Sequence, residues 1–350
     1  MELSKEYFGP LWKYICNDSI TDIDYNGKEL WITNNLNERY AVNPAFTREY
    51  LTAGFLEQFS QKTANLVSLP FNKRNPCLEA ETSDLRVTIV HEAVAKNGRS
   101  FSIRKTPPIV RLSVQRALEE EYCTKEILSL LVNAVLAKMN IVVCGSPGNG
   151  KTELIKFLSS YIPGNERVIT IEDTLEMRYG VSNPGKDCIE MKVLDSLFSY
   201  SDAIKTSLLL NPKWIILSEA RSKEVKYLLE SWSTGIKGLT TLHTDDVFNI
   251  PDRILNMLES RVDADRLEND IYQALDVGIL VNRKKRENGL VRRFVEQVCF
   301  FERLDGQNRI SLVVSDGKII QEGLCKEIIN RFNKYGICDP LVCSCVEEEL

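Results

Sequence analysis

No apolar run in this chain approaches the roughly 20 residues that a membrane-crossing helix needs. The opening Met1-Glu2-Leu3-Ser4-Lys5-Glu6 also lacks the charged-then-apolar layout of a secretory signal. A cytoplasmic protein is therefore expected, one that can still dock at the cytoplasmic face of a membrane. An excess of positive charge is missing: the formal net charge is −5, which argues against a surface that coats nucleic acid and leaves room only for a local basic groove. Histidine is scarce, with two in 350 residues, and neither lies near the cysteine-rich tail. That tail carries Cys338, Cys343 and Cys345 with Cys325 upstream, a C-x4-C-x-C spacing that is not a standard zinc pattern. Other cysteines, such as Cys144, Cys188 and Cys299, sit singly on apolar stretches, so reduced thiols acting as small hydrophobes are expected. No internal repeat or low-complexity segment is present.

What is present is globular: 43% hydrophobic and 27% charged residues, in a chain long enough for two domains. Its organising stretch is Ile141-Val142-Val143-Cys144, an apolar run with the character of a buried strand, followed by Gly145-Ser146-Pro147-Gly148-Asn149-Gly150-Lys151-Thr152-Glu153. This is G-x-x-x-x-G-K-T between strand and helix, the phosphate-binding loop. Glycines let the backbone turn its N–H groups toward one point, and the helix N-terminus adds partial positive charge suited to a polyphosphate. Lys151 can reach the β- and γ-phosphates, and the Thr152 hydroxyl is placed for Mg²⁺. A nucleoside triphosphate, ATP with Mg²⁺, is the expected ligand.

Residues 1–106 read as a smaller α+β domain. Ile20 to Tyr25, a turn at Asn26-Gly27, and Leu30 to Thr33 predict a hairpin. Helical spacing runs from Thr47 to about Leu66, and Leu85–Val90 and Ser100–Lys105 read as further strands. Thr106-Pro107-Pro108 breaks regular structure, giving a linker over 107–118. Residues 119–350 form the larger domain. It opens with a predicted helix from Glu119 to about Lys138, and the phosphate loop follows. Arg167 to Asp173, Trp214 to Glu219 and Gly238 to His243 are then strands that end in polar residues, with a helix ending at Leu208-Leu209-Leu210-Asn211. Strands alternating with helices imply a parallel sheet with ligands at the strand C-terminal ends. A last hairpin, Val277–Val281 and Val291–Phe301, turns through Arg283-Lys284-Lys285-Arg286 to Asn288-Gly289, and a helical tail follows. The basic cluster reads as a solvated hairpin tip.

Three strand ends deliver polar groups to the side of the phosphate loop. Glu219 is placed to hold the Mg²⁺ shell, through water or directly, or to orient and deprotonate the attacking water. Glu172-Asp173 offers a second acidic pair for the same work, or a cap for the next helix. His243 ends its strand where an imidazole can sense a γ-phosphate. His91 carries no functional reading.

Five segments, in order, resemble the secretion ATPases, the hexameric ATPases of type II and type IV secretion, conjugation and type IV or Tad pili. They are Ser102-Ile103-Arg104-Lys105, the Walker A loop Gly145 to Thr152, the acidic box Thr170 to Thr174, the Walker B segment Asn211-Pro212 to Arg221, and the histidine box Thr234-Gly235 to Thr244. Arg292-Arg293-Phe294-Val295-Glu296 resembles the type IV secretion and Tad-pilus branch, and the four-cysteine zinc insert of the type II branch is absent. The resemblance implies an N-terminal domain tied to a RecA-like P-loop ATPase domain, six copies forming a ring, and inner-membrane components of a secretion or pilus machine as partners. Direct nucleic-acid binding is not expected. By position, Glu219 and Glu172 are the catalytic carboxylates, His243 the histidine-box residue, Arg104 a basic contact to the nucleotide, and Arg86 a further candidate contact. Ser218 stands where the family usually has Gly, and the helix end at Leu208 to Asn211 lacks its usual arginines. The rivals are a RecA-like nucleic-acid motor and a nucleotide-binding switch with little turnover.

Overall fold

The computed structural model describes residues 4–36, 38–82, 84–107, 109–194, 197–258, 264–286, 291–320 and 324–350. The hairpin turn at Asn288-Gly289, the residue Pro108 and the opening Met1 to Leu3 lie outside the described residues. Two compact units divide between Pro108 and Ile109.

The first unit holds a six-stranded sheet in the order β3-β2-β1-β6-β5-β4. Its strands are β1 (Ile20–Tyr25), β2 (Leu30–Asn34), β3 (Arg39–Ala41), β4 (Cys77–Glu81), β5 (Leu85–Val90) and β6 (Ser100–Lys105), each antiparallel to its neighbour. Burial alternates along β5, with Leu85, Val87 and Ile89 inside, so one face is core and the other is not. Helix Ala53–Val67 covers the core face through Leu56 and Phe59, with Phe8 and Leu11 from the first helical turns. The single helix expected from Thr47 is in fact two, Pro44–Tyr50 and Ala53–Val67. Thr52 causes the break: its side chain accepts from the Phe55 N–H and caps the second helix, while Leu51 turns inward.

In the second unit a nine-stranded sheet runs β15-β14-β13-β12-β7-β11-β10-β8-β9. The strands are β7 (Ile141–Cys144), β8 (Val168–Glu172), β9 (Cys188–Lys192), β10 (Trp214–Leu217), β11 (Lys237–Leu242), β12 (Val277–Lys285), β13 (Val291–Leu304), β14 (Gln307–Ser315) and β15 (Lys318–Ile319). From β12 through β9 the neighbours are parallel, and β12 to β15 are antiparallel. Every residue of β7, β8 and β10 is buried, as continuous apolar strands require when helices cover both faces. One face packs on helices Lys125–Leu136 and Lys151–Ser159 and on the tail, the other on Tyr200–Leu208, Glu224–Ser233 and Ile250–Met257.

The helix expected from Glu119 begins later, at Lys125, because the Thr124 hydroxyl caps it through the Ile127 N–H. A short helix, Val114–Glu119, precedes it, and its Val114 and Ala117 are buried in this unit's core. At the far end, the Asn133 amide donates to the carbonyls of Pro340 (3.0 Å) and Val342 (2.9 Å), which fastens the tail with Cys343 and Val346 buried. Arg331 pairs with Asp276 and donates to the Phe301 carbonyl (3.2 Å), and burial draws the Arg331 guanidinium down to about 10. Among the described residues, no helix is long and apolar enough to cross a membrane.

Candidate active site

Strand order explains which side chains meet. The C-terminal ends of β7, β11, β10 and β8 lie side by side, in registers such as Cys144 with Leu242, Leu217 with Thr240, and Leu217 with Ile171. At or just beyond those ends lie the phosphate loop, His243, Glu219 and Glu172-Asp173, with Glu172 the last residue of β8. On the other side of β7, β12 runs parallel, with Leu280 opposite Cys144.

The loop curls through Gly145, Gly148 and Gly150, all at positive φ (143°, 77° and 92°), and helix Lys151–Ser159 begins at once. A Cβ at Gly145 would strike the Val281 carbonyl oxygen of β12, so no larger residue fits there. Asn149 braces the same contact: its amide donates to that carbonyl at 2.9 Å. Lys151 is buried, and its ammonium donates to the carbonyls of Gly145 (2.8 Å) and Ser146 (3.3 Å). Burial pulls the Lys151 pKa down, opposed by the charge of Glu219.

From Lys151 a line of charged groups crosses the sheet in strand order. Its Nζ lies 3.1 Å from Nδ1 of His243. The same Nδ1 is 3.2 Å from the Gly145 carbonyl, which leaves the ring's Nε2 to face Glu219. That Nε2 is 3.0 Å from Glu219 Oε1, and Glu219 Oε2 accepts from Arg221 Nη2 at 2.9 Å. Arg221 reaches on to Asp173 at 2.7 Å, and the Glu219 hydrogen bond heads the causes that hold its guanidinium pKa above the usual range. Ser218 makes a second bridge: its hydroxyl is 3.4 Å from the Tyr200 hydroxyl, which accepts from the Asp173 N–H at 3.0 Å. Burial pushes the Tyr200 phenol up to about 12.

Glu172 stands apart from this line. It is fully buried, and its Oε1 accepts from the N–H groups of Glu176 (3.1 Å) and Met177 (3.0 Å). Among the described residues, Oε2 is buried without a hydrogen-bond partner, and desolvation lifts the carboxyl to about 8, against the lowering by those two N–H groups. Glu153, the last residue of the loop segment, accepts from the Arg111 N–H (3.0 Å) and pairs with Lys156 (3.2 Å). Thr152 falls in the first turn of the helix, beside Lys151.

Arg104 and Arg86 belong to the first unit, where they face each other across β5 and β6. Like charges directly opposite repel. Asp22 relieves Arg104 at 2.8 Å, and Glu79 lies 3.5 Å from Arg86.

The sequence matches, over residues 72–311, the family described as type II/IV secretion system protein. The chain belongs to that family. An uncharacterized protein of Bacillus anthracis is 28% identical over 267 residues, spanning 75% of this chain and 59% of that protein. The type IV secretion system protein VirB11 of Bartonella quintana (strain Toulouse) is 30% identical over 171 residues, 48% of each chain. The chain thus spans only about half the length of these curated relatives. Among solved structures, the pilus retraction motor PilT with bound ADP is 16% identical, covers 96% of this chain and 88% of its own, and superposes with a TM-score of 0.61. The expected fold, a RecA-like P-loop unit preceded by a smaller α+β unit, is thereby borne out, as is membership of the secretion ATPases.

For this family member, sequence reasoning left Arg221 without an assigned role, and placed Asp173 in an acidic pair with Glu172 rather than beside Arg221. Arg221 stands two residues beyond Glu219, so both point toward the same strand end, and that spacing was the available signal. Arg283 and Arg293 were also missed. The Arg283–Arg286 cluster is exposed, as a hairpin tip should be, yet Arg286 is paired with Glu121 at 2.9 Å and Arg283 lies against the phosphate loop.

Proposed function

We propose that the chain is an ATP-hydrolysing motor of a secretion, conjugation or pilus machine. The observation that carries this reading is the unbroken line from Lys151 through His243 to Glu219, laid along the phosphate loop. Loop amides and Lys151 bind the β- and γ-phosphates, exchanging the ammonium's carbonyl partners for phosphate oxygens. The glycine cradle and the helix N-terminus suit a polyanion, so the residues fit nucleotide with Mg²⁺; Thr152 and Glu219 would hold the ion, directly or through water. When bound, the ion neutralises charge that develops on the phosphates.

Glu219 orients and deprotonates the attacking water. Both its oxygens already hold partners, His243 and Arg221, and these fix the carboxylate's direction. His243 lies between the lysine and the base, so it reports phosphate occupancy to Glu219. Glu172 is the second carboxylate, with one oxygen free of any described partner. Arg104, with Arg86 beside it, contacts the nucleotide from the N-terminal domain (residues 1–106), joined by the 107–118 linker to the ATPase domain (119–350). Six copies form a ring at the cytoplasmic face of the membrane, acting on inner-membrane components.

Phosphate release from ATP by the purified chain, abolished by EDTA, tests the reading. No release above background, with no nucleotide bound in calorimetry, would overturn it. A second reading, a nucleotide switch with little turnover, is favoured by the double engagement of Glu219; tight triphosphate binding without phosphate release would select it.

A further inference from the structure

Arg283 and Arg293 are directly opposite partners in the β12–β13 ribbon. Two like charges at such a position repel, and among the described residues neither guanidinium has a carboxylate within ion-pair distance. The neighbouring pair, Lys284 opposite Arg292, is also cationic, but both cations of that pair lie over the Phe294 ring at 5.2 Å, on the alternate side of the strands. The Arg283–Arg293 pair instead faces the phosphate loop. Arg293 Nε donates to the Gly148 carbonyl at 3.2 Å, and its Cδ lies 3.3 Å from the place a Cβ would take on Gly150. Nη1 of Arg283 is 3.4 Å from the corresponding place on Gly148.

The loop and ribbon are further tied by the Asn149 bond to Val281. Arg293 is half-buried against the loop, and burial, then the charges of Arg283 and Arg111, lower its pKa against the opposing pull of Tyr122 and Glu120. Among the described residues, the Tyr122 hydroxyl, whose ring is buried close to Arg293, has no hydrogen-bond partner. Uncompensated cations gathered at a loop built for anions constitute an electrostatic deficit that a polyphosphate removes.

We propose that Arg283 contacts the terminal phosphate of the bound nucleoside triphosphate from within the same chain, and that Arg293 is a positioning residue that holds the outer backbone of the phosphate loop. This rests on the nucleotide reading above. The terminal phosphate is chosen because it carries more charge than the inner ones, more than the loop amides and Lys151 that it shares with the β-phosphate supply, and Arg283 stands outside the loop at its middle glycine. An exposed guanidinium on a strand reaches a fixed point without a domain movement, and its planar donors match phosphate oxygens.

The test uses the full chain, with Mg²⁺-ADP and a non-hydrolysable ATP analogue as calorimetric probes. Wild type should bind both; binding of neither defeats the nucleotide reading before any variant is examined. Arg283→Gln should weaken the analogue tenfold or more while changing ADP affinity less than threefold, and Arg283→Lys should fall between. Arg293→Gln should weaken both probes together, since the loop itself is loosened. Without ligand, Arg283→Gln should melt at or above the wild-type temperature, because a like-charge pair has been relieved. Unchanged analogue affinity in Arg283→Gln overturns the contact while leaving the nucleotide reading intact. So does equal loss for both probes with a lowered ligand-free melting temperature, which would make Arg283 structural.

Discussion

Lys151 opens the helix that follows β7 and the phosphate loop, His243 follows the end of the neighbouring β11, and their Nζ and Nδ1 atoms are 3.1 Å apart. This pairing makes the lysine a shared element of the phosphate loop and of the line that leads to Glu219. Replacing Lys151 with Ala removes the cation and the partner of His243 together. Nucleotide affinity should fall tenfold or more and turnover should be undetectable. Glu219→Gln keeps the side chain's shape and one acceptor oxygen but removes the base, so it should bind ATP and slow hydrolysis by about 10²–10⁴-fold. Phosphate release measured beside calorimetric binding separates the two. Near-normal hydrolysis by the Gln variant would transfer the base role to Glu172.

His243→Ala should act differently. The imidazole touches Lys151 and Glu219, so its loss frees the base from its line while leaving the loop amides in place. Binding should stay within about threefold of wild type, and turnover should fall by at least about 10-fold, within the usual reach of a positioned acid–base group. A variant that matches wild type in both assays would make His243 a structural residue.

Most of the central sheet is readable from the chain, because β7, β8 and β10 are rich in branched apolar residues and, like β11, are closed by polar ones. The edges are not. β9 (Cys188–Lys192) carries Glu190 and Lys192 among its apolar residues, β3 is wholly exposed, and neither has the pattern of a half-buried strand. Glu219 and His243 are legible as strand-end residues beside a phosphate loop. Their line to Asp173 through Arg221 is not, because it depends on strand order, which periodicity does not contain. For the same reason a hairpin distant in sequence gives no sign that it delivers Arg283 to Gly148. The helix starts were misplaced wherever a single threonine, Thr52 or Thr124, set the cap.

Glu172 makes a prediction in pH. Its ordinary value is 4.5 and burial raises it in the folded chain to about 8. Between these values the unfolded chain releases a proton that the folded chain retains, so folding loses stability as pH rises through that window. The contribution is fully present below about 4.5. Glu172→Gln cannot ionise, and its oxygen can still accept from the Glu176 and Met177 N–H groups. The variant should therefore show a flatter decline of melting temperature from about pH 5 to about pH 8, and a higher value than wild type at the upper end. An identical slope in both proteins would mean that Glu172 is ionised in the fold. Turnover in the same variant measures its catalytic share independently.

Arg104 bears on assembly. It projects from β6 directly opposite Arg86, and Asp22 answers its charge at 2.8 Å. An exposed pair of that kind contributes at most about 1 kcal/mol, so Arg104→Ala should leave the first unit folded, with its melting behaviour nearly unchanged. If the guanidinium also reaches nucleotide phosphates, the same variant should lose most of its ATPase activity, because charge-assisted contacts to phosphate cannot be replaced by water without cost. Coupling of that contact to the movement of one domain against the other would transmit the hydrolysis state between copies. Light scattering with Mg²⁺ and a non-hydrolysable ATP analogue should then give a species of six times the 39.9 kDa chain mass for wild type, and smaller species for Arg104→Ala. A wild-type chain that stays at its single-copy mass while hydrolysing ATP at full rate would sink the ring, since no neighbour would then be needed to complete the site.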